Sequence, residues 1–339
     1  TEKQKICYNE ANLSARRDMF AAKVKSYAKL NLSLNVTGVS GGYHMLDSVV
    51  ASVNIYDTVC AKPRRDKLVN VYMHGKGSER IPPEKNNAVK AAERFVAQYK
   101  TNGADIEIYK DIPIGAGLGG SSADAAGVLN VLAKLYKVDD AAGLKALADA
   151  SGSDTGYMLS GGFARIFGRG DRVEPLCAKR RLWFLLFMPK TSVSTPRCFG
   201  LYDSMPDPLR ADSARLARAL QEGDLNGIAA NVYNALGKPA AELNSETAEA
   251  LKAAAAFSPL AYAVTGSGSA VFALFESEEM CRWAKSRYKG KISVRVVHTV
   301  EAKERRTGAR NPFFLSEEEL EEAETGNLKT GAEDGREKS

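Results

Sequence analysis

The sequence has few cysteines and histidines, and none of them is arranged to hold a metal or a disulfide framework. Its five cysteines include no Cys-x-x-Cys pair, and its three histidines, His44, His74 and His298, lie far apart. Neither a zinc site nor a disulfide-stapled fold is therefore expected. Scattered cysteines are typical of a reducing compartment, and we expect a cytoplasmic protein.

Long hydrophobic runs are also missing. The longest apolar stretch, LWFLLFM at 182–188, has the length of a buried strand and is far shorter than a membrane span. The first twenty residues contain no apolar segment typical of a secretion signal, and they carry Glu2, Glu10 and Asp18, which disfavour an organelle-targeting peptide. We expect residues 1–22 to be an extension outside the folded domains, and no membrane partner.

The net positive charge is not concentrated in any one segment. The net charge of +6 is mild, and no arginine-rich run with interleaved aromatics indicates nucleic-acid binding. This charge suits an anionic small-molecule substrate, but an ordinary solvated surface explains it equally well. With 339 residues, 44% of them apolar, the chain is long enough for two globular domains.

Hydrophobic periodicity predicts mixed helices and strands. Alternation or a compact apolar run predicts strands over residues 23–36, 104–113, 181–190 and 291–300. Apolar residues spaced three and four apart predict four helical regions. These are 86–100 (with Asn86 as the cap), the stretch from the serines near 121 to Tyr136, 141–150, and part of 208–256. The pattern contains no repeat, and 301–339 is charged enough to predict a disordered tail, with a short helix over SEEELEEAE.

The stretch IPIGAGLGGSSADAAGVL, residues 112–129, is the most informative in the chain. It satisfies G-x-G-x-x-G between a predicted strand and a predicted helix, but Pro113 interrupts the strand and no strand ends at Asp139 or Asp140, where a ribose-binding acid belongs. No Gly-Lys-Ser/Thr follows, which excludes a Walker A loop. Two interpretations remain: an anion-binding loop whose amides precede a helix N-terminus, or a tight turn that needs glycine only for packing.

The segment PIGAGLGGSSADAA resembles the phosphate-loop motif P-x-x-x-G-L-x-S-S-A of the galactokinase, homoserine kinase, mevalonate kinase and phosphomevalonate kinase superfamily. AVTGSGSAVFALF at 263–275 resembles the third, glycine-rich motif of the same superfamily. The resemblance implies an α+β two-domain small-molecule kinase fold, with an N-terminal half like domain 2 of ribosomal protein S5 and an α/β sandwich as the C-terminal half. We place the two domains at 23–178 and 179–300.

Further segments resemble one branch of this superfamily, the 4-diphosphocytidyl-2-C-methyl-D-erythritol kinases. These are AKLNLSLNVTGVSGGYHMLDSVV at 28–50, NNAVKAA at 86–92, GRGD at 168–171 and STPRCF at 194–199. The branch implies ATP- and Mg²⁺-dependent phosphorylation of the 2-hydroxyl of a cytidine-diphosphate-linked polyol, in the non-mevalonate route to isoprenoid precursors. It also implies a small-molecule partner and a monomer or homodimer.

By this resemblance, Lys29 and Asp154 are the catalytic pair. Asp154 takes or orients the proton of the acceptor hydroxyl, and Lys29 stabilises negative charge on the transferred phosphoryl group. Without the motif, Lys29 is an ordinary strand lysine, and Asp154 is a helix N-cap.

The remaining site residues follow the family's motifs. The ATP-binding group comprises Asn86, Pro113, Ile114, Gly115, Ala116, Gly117, Leu118, Gly119, Gly120, Ser121, Ser122 and Ala123. The substrate group comprises Asn31, Tyr43, His44, Phe199, Thr265, Gly266, Ser267 and Gly268. Tyr43, His44 and Phe199 are expected to hold the cytosine ring, although Phe199 is equally compatible with the core, and residues 265–268 with a hairpin turn.

Three departures from the family's pattern bear on the site. Ser121 replaces a glycine and Ala123 a serine, so two adjacent serines, Ser121 and Ser122, fit the position that meets Mg²⁺, and Ser122 is our candidate. Ser153-Asp154-Thr155-Gly156 replaces Ala-Asp-Val-Pro, which predicts a looser turn around the acid. NALGKPA at 234–240 lacks the acidic residue that usually follows its asparagine.

Three other functions compete with this one. A superfamily kinase for another small alcohol, of the homoserine or mevalonate type, is the nearest, but such acceptors carry no base for Tyr43 and His44. A dinucleotide-dependent oxidoreductase is more remote. A non-catalytic nucleotide-binding regulator needs no pair such as Lys29 and Asp154.

Overall fold

One long strand organises the larger of two sheets in the computed structural model, which describes residues 21–82, 86–205 and 210–302. This strand, β3 (Tyr43–Pro63), pairs along one edge with β1 (Ala22–Asn31) and β2 (Ser33–Ser40), both antiparallel. Its other edge pairs with β5 (Ala104–Tyr109) and β6 (Phe163–Gly168), again antiparallel. β4 (Val69–His74), β7 (Arg172–Leu176) and the two-residue β9 (Tyr233–Asn234) complete the eight strands of this sheet.

The single strand predicted over 23–36 is two strands. Both strands pair antiparallel with β3, and the register shifts by one residue between the Asn31–Val50 pair and the Asn35–Asp47 pair, on either side of Leu32. The amide of Leu32 still donates to the carbonyl of Val49 at 2.8 Å, which keeps the break tight. Alternation continues across such a break, and therefore the pattern alone does not reveal it.

Helices cover the larger sheet much as the periodicity predicts. α1 (Asn87–Tyr99) begins after the cap Asn86, α2 (Gly120–Tyr136) follows the glycine loop, and α3 (Ala141–Asp149) and the one-turn α4 (Thr155–Met158) come next. A short 3₁₀ turn occupies Ser78–Arg80. The inner face of α2 is completely buried against β1 and β3, through Ala125, Val128, Leu129 and Leu132.

The smaller sheet has four antiparallel strands in the order β10 (Ala261–Val264), β11 (Val271–Phe275), β8 (Trp183–Met188) and β12 (Ser293–His298). β8 is the LWFLLFM run, and Phe184 to Phe187 are all fully buried, which explains why this strand is apolar on both faces. The helices of this part are α5 (Thr195–Ser204), α6 (Ser213–Glu222), α7 (Leu225–Ala230), α8 (Gly237–Leu243), α9 (Ser245–Ala255) and α10 (Glu278–Arg287). In the described ranges, no helix has both the length and the apolar character that a membrane span requires.

The α+β class is confirmed. Contacts join the described residues between 21 and 302 into one compact unit, and a bridge between Val53 and Thr299 links β3 to the segment after β12. The division at residues 178/179 stays a prediction. Most of the 1–22 extension and the tail beyond residue 302, including its predicted short helix, lie outside the described residues.

Candidate active site

The glycine loop of residues 113–119 connects β5 to α2 and is partly open to solvent, with Ile114 42% exposed. Two backbone hydrogen bonds anchor it: Lys29 donates to the carbonyl of Leu118 at 3.1 Å, and Ala270 donates to that of Ala116 at 3.0 Å. Because α2 begins at Gly120, the amides of its first turn have no acceptor within the helix. Together with the positive end of the helix dipole, they form a cradle for an anion such as phosphate.

Glycine is required in this loop because of what lies against it. Gly117 and Gly119 have φ values of +78° and +75°, in the left-handed region. A Cβ on Gly117 would lie 2.3 Å from the carbonyl oxygen of Thr265, and one on Gly119 would lie 2.2 Å from Cε of Met158 and 3.2 Å from Cγ of Lys29. The glycines therefore allow close packing, as the turn interpretation expects. The residues that they pack against, Lys29 and Thr265, are predicted site residues, so packing and an anion-binding role are compatible.

Lys29, Asn31 and Asp154 form one cluster beside the loop. Lys29 and Asn31 are two residues apart in β1 and so share a face of the strand. The Nζ of Lys29 donates to Oδ1 of Asn31 at 2.5 Å and lies 3.4 Å from Oδ2 of Asp154. The Lys29 side chain is only 5% exposed, whereas that of Asp154 is 32% exposed. An enclosed ammonium thus lies beside a carboxylate that a ligand can reach.

The position of Asp154 is set by a short turn that needs no proline. Asp154 occupies the N-cap position of α4, but its side chain makes no capping hydrogen bond. Backbone bonds from Thr155 to the carbonyl of Gly152 at 3.0 Å and from Met158 to that of Asp154 at 3.1 Å hold the turn. The carboxylate is therefore directed toward Lys29 instead of capping its own helix.

Residues 265–268 form the turn between β10 and β11, and this turn reaches the same cluster. The amide of Asn31 donates to Oγ1 of Thr265 at 3.0 Å, and a Cβ on Gly266 would lie 3.4 Å from Nζ of Lys29. Asn234 fixes the turn, because its Nδ2 donates to the carbonyls of Val264 at 2.7 Å and of Gly266 at 2.8 Å. Sequence reasoning missed this role of Asn234, since no local pattern signals it. Ser267 points elsewhere and bonds Thr195 of α5 at 2.8 Å.

The serines at the start of α2 face the turn before Asp154. Ser121 accepts a hydrogen bond from Nδ2 of Asn87 at 3.1 Å, and a Cβ on Gly152 would lie 3.4 Å from Oγ of Ser122. Within the described ranges, no group of three or more His, Cys, Asp or Glu side chains could hold a metal by itself. A cation here would have to be held by few protein oxygens together with phosphate oxygens, which is the usual manner of Mg²⁺.

Asn86 takes the capping role that the sequence predicts, and its contact with ATP stays a prediction. The Oδ1 of Asn86 caps α1 by accepting from Ala88 at 3.0 Å, and its Nδ2 lies 3.0 Å from Sδ of Met73. Asn86 is buried, and both ends of its amide are engaged in the fold. Asn87 is the neighbour that reaches the loop, and the sequence did not single it out.

His44 lies between a ring and a carboxylate that both belong to α5. Its imidazole stacks on Phe199, with the ring centroids 4.5 Å apart and the planes inclined by 24°. Its Nε2 lies 2.9 Å from Oδ1 of Asp203. The structure therefore brings two of the three predicted base-binding residues together, and it adds Asp203, which the sequence did not reveal.

Tyr43 lies apart from this pair. Neighbouring residues of a strand point to opposite faces, and Tyr43 lines a cavity of about 300 Å³ together with Gly41, Gly168 and Arg169. The guanidinium of Arg169 lies 5.0 Å from the centre of the Tyr43 ring, and Tyr43 is 59% exposed. Its contribution to base binding stays a prediction.

Three buried ionisable residues support the start of the loop from beneath. Nζ of Lys110 lies 2.5 Å from Asp57 and 2.6 Å from Asp124, and none of these side chains is more than 4% exposed. Oδ1 of Asp57 also accepts from the amides of Asp111 at 2.7 Å and Ile112 at 2.9 Å. The cluster connects β3, the residues before Pro113 and the first turn of α2. Sequence reasoning did not identify it.

Asp140, which the dinucleotide interpretation required at a strand end, instead caps α3 by accepting from the amide of Gly143 at 2.8 Å. The loop is therefore not followed by the strand and acid that an NAD-binding unit needs.

The chain is similar to known proteins over most of its length. Residues 86–164 match the model of the GHMP kinases N terminal domain, and residues 216–280 match that of the GHMP kinases C terminal domain. The chain is 35% identical over 266 residues to the 4-diphosphocytidyl-2-C-methyl-D-erythritol kinase of Pelotomaculum thermopropionicum, covering 77% of this chain and 92% of that protein. It is 33% identical over 256 residues to the protein of the same name from Cutibacterium acnes, covering 72% and 83%.

Solved structures agree in fold. A crystal structure of 4-(cytidine 5′-diphospho)-2C-methyl-D-erythritol kinase superposes with a TM-score of 0.65 at 29% identity, over 81% of this chain and 98% of that one. The homoserine kinase of Cytophaga hutchinsonii superposes with a TM-score of 0.63 at 20% identity, over 83% and 95%, which shows a shared fold. The chain belongs to the 4-diphosphocytidyl-2-C-methyl-D-erythritol kinase family, one branch of the GHMP kinases.

Proposed function

We propose that this chain transfers the γ-phosphoryl group of ATP to the 2-hydroxyl of 4-diphosphocytidyl-2-C-methyl-D-erythritol, a step of non-mevalonate isoprenoid synthesis. The observation that carries the proposal is the Lys29–Asp154 pair, 3.4 Å apart and next to the glycine loop. Relatives bearing that substrate's name, at 33% and 35% identity over most of the chain, support the choice of acceptor.

The pair supplies what phosphoryl transfer to an alcohol needs. Asp154, a partly exposed carboxylate, orients the acceptor hydroxyl and accepts its proton as the oxygen–phosphorus bond forms. The bond between the γ-phosphorus and its bridging oxygen breaks in the same step, and ADP leaves with that oxygen. Lys29 is held by Asn31 and enclosed by the loop, so its ammonium lies in a water-poor place where it stabilises the charge that develops on the phosphoryl oxygens. Because both groups are fixed in advance, little reorganisation is needed at the moment of reaction.

The loop residues 113–123 hold the phosphates of ATP through backbone amides at the start of α2. Mg²⁺ suits the start of α2, since Ser122 offers a hydroxyl oxygen, a hard ligand of the type this ion prefers beside phosphate oxygens. When bound, the ion neutralises phosphate charge and orients the γ-phosphoryl group. Asn87, which bonds Ser121, is better placed than the buried Asn86 to contact the nucleotide.

The acceptor lies between the cluster and the base-binding residues. Asn31, Thr265 and the backbone of Gly266 border the reacting hydroxyl, while His44 and Phe199 meet the cytosine at the other end. Ser267 and Gly268 complete the turn that encloses this space. A monomer or a homodimer is compatible with such a site, because every group named belongs to one chain.

The experiment offers the purified protein labelled ATP and Mg²⁺ together with one acceptor at a time. We expect label on 4-diphosphocytidyl-2-C-methyl-D-erythritol and none on homoserine or mevalonate. Transfer to either of the latter, with none to the cytidine compound, would assign the chain to another branch. Omitting Mg²⁺, or adding EDTA, is expected to abolish transfer.

A further inference from the structure

One helix supplies both groups that hold His44. Phe199 and Asp203 are four residues apart in α5, one turn of helix, so their side chains share a face. Phe199 covers the flat side of the imidazole and Asp203 meets its edge at Nε2, 2.9 Å away. Contacts on the face and on the edge together fix both the plane of the ring and its rotation within that plane.

The chemistry of this contact determines what His44 presents to a ligand. An ionised carboxylate only accepts hydrogen bonds, so Nε2 must carry the proton that it shares with Asp203. In a neutral imidazole the other nitrogen, Nδ1, is then an acceptor. Nδ1 makes no hydrogen bond within the part of the chain that the structure describes, and the side chain is 20% exposed.

We propose that Asp203 is a positioning residue that acts through His44 to select the amino edge of a cytosine base. This inference rests on the proposed function, and it goes beyond it by assigning the base selectivity to a residue outside the recognised motifs. Cytosine carries an amino group where uracil carries a carbonyl oxygen. An acceptor at Nδ1 therefore forms a hydrogen bond with the amino group of cytosine. The carbonyl oxygen of uracil is itself an acceptor, and two acceptors repel each other. A site built to bond one group rejects the analogue that lacks it.

A purely structural role for Asp203 makes a different prediction. If the contact only stabilised α5, its loss would lower the melting temperature and weaken every base equally. Selection through His44 instead alters the ratio of the dissociation constants for CDP and UDP, which a general loss of stability does not change. This ratio is therefore the decisive readout.

The test measures CDP, UDP and ATP binding by calorimetry for the full chain and its variants. We expect the wild type to prefer CDP, and Asp203→Ala to reduce that preference by about tenfold, the size of one lost hydrogen bond to a polar edge. Asp203→Glu, which keeps a carboxylate, should retain most of the preference. ATP affinity should stay unchanged throughout, and KM for the cytidine substrate should rise more than kcat falls.

Glu249→Ala is the matched control, because Glu249 is an exposed carboxylate on α9, outside the site. A wild type that binds CDP and UDP equally, or an Asp203→Ala variant that keeps the wild-type ratio, would overturn the inference even if turnover is normal. If the Asp203-dependent preference is present but no phosphoryl transfer to the cytidine substrate occurs, the proposed function fails and the base selection stands.

Discussion

At the scale of single residues, the charge arrangement around Lys29 is the most telling feature. Its ammonium is almost fully enclosed, but its partners are the neutral amide of Asn31 and the partly exposed carboxylate of Asp154. It therefore does not belong to a fully buried ion pair. Full burial of a charge without a close counter-ion is costly, and such sites are usually functional. A phosphate group arriving at the loop would complete the charge balance.

Lys29→Met and Asp154→Asn are therefore expected to lower kcat by about 10²–10⁴-fold, the range for removing a general base or an electrostatic group. Steady-state kinetics with the cytidine substrate measures this, and circular dichroism checks the fold. Lys23→Met, an exposed lysine of the same strand, is the control and should retain wild-type kcat. Near-normal turnover in either site variant would remove that residue from the mechanism.

Asp124 gives a prediction about pH. Burial raises its pKa to about 8, with the charge of Asp57 adding to the effect and Lys110 opposing it. The folded protein thus holds a proton that the unfolded chain releases above about pH 4, so this group makes the free energy of unfolding fall as pH rises from about 4 to about 8. Below that window its contribution is constant.

Asp124→Asn removes this titration while keeping an oxygen that accepts from Lys110. We expect the variant's melting temperature to fall less steeply than the wild type's between pH 5 and pH 8. Thermal denaturation at several pH values measures the difference. Parallel curves for the two proteins would show that Asp124 is already ionised in the folded state at low pH.

At the scale of elements, the site depends on the contact between the glycine loop and the 265–268 turn. These segments are about 150 residues apart in the sequence, and Gly117 allows them to touch. The buried Lys110, Asp57 and Asp124 fix the other side of the loop to β3 and α2. The loop is therefore held from both sides in one conformation before any nucleotide binds.

Gly117→Ala should separate the two segments, because the new Cβ would clash with the carbonyl of Thr265 and because φ at this position is +78°. We expect a lower melting temperature together with a higher KM for ATP. Gly200→Ala in α5 is the control, since no heavy atom lies within 4 Å of its added Cβ. That variant should match or slightly exceed wild-type stability, as alanine favours a helix by about 0.5–1 kcal/mol over glycine. An unchanged KM for ATP in Gly117→Ala would contradict the role of the contact.

Sequence patterns predicted local structure better than the contacts that assemble the site. The cap Asn86, the span of α2 and the strands flanking the 265–268 turn follow from spacing alone. The break at Leu32 is a shift of register between two strands that both pair with β3. The bonds of Asn234 and the contact of His44 with Asp203 join residues far apart in the chain. Periodicity within a window does not contain that information. The motifs grouped Lys29, Asn31 and Asp154 with the 265–268 turn, because a resemblance carries tertiary information that spacing lacks.

At the scale of the whole molecule, the account predicts which small molecules stabilise the protein. A ligand that binds only the folded state at a hundred times its dissociation constant adds about 2.7 kcal/mol to the free energy of unfolding. We expect ATP with Mg²⁺ and CDP each to raise the melting temperature, and homoserine and mevalonate to leave it unchanged. A protein that responds to ATP but not to CDP would be a GHMP kinase with a different acceptor.

The central claim is that the loop, Lys29 and Asp154 surround the transferred phosphoryl group. A crystal structure with a non-hydrolysable ATP analogue and the cytidine substrate tests it most directly. The account predicts the γ-phosphate against the first-turn amides of α2 and Nζ of Lys29, with the 2-hydroxyl within about 3 Å of an Asp154 oxygen. A γ-phosphate bound away from these two side chains, or an acceptor hydroxyl out of reach of Asp154, would contradict it.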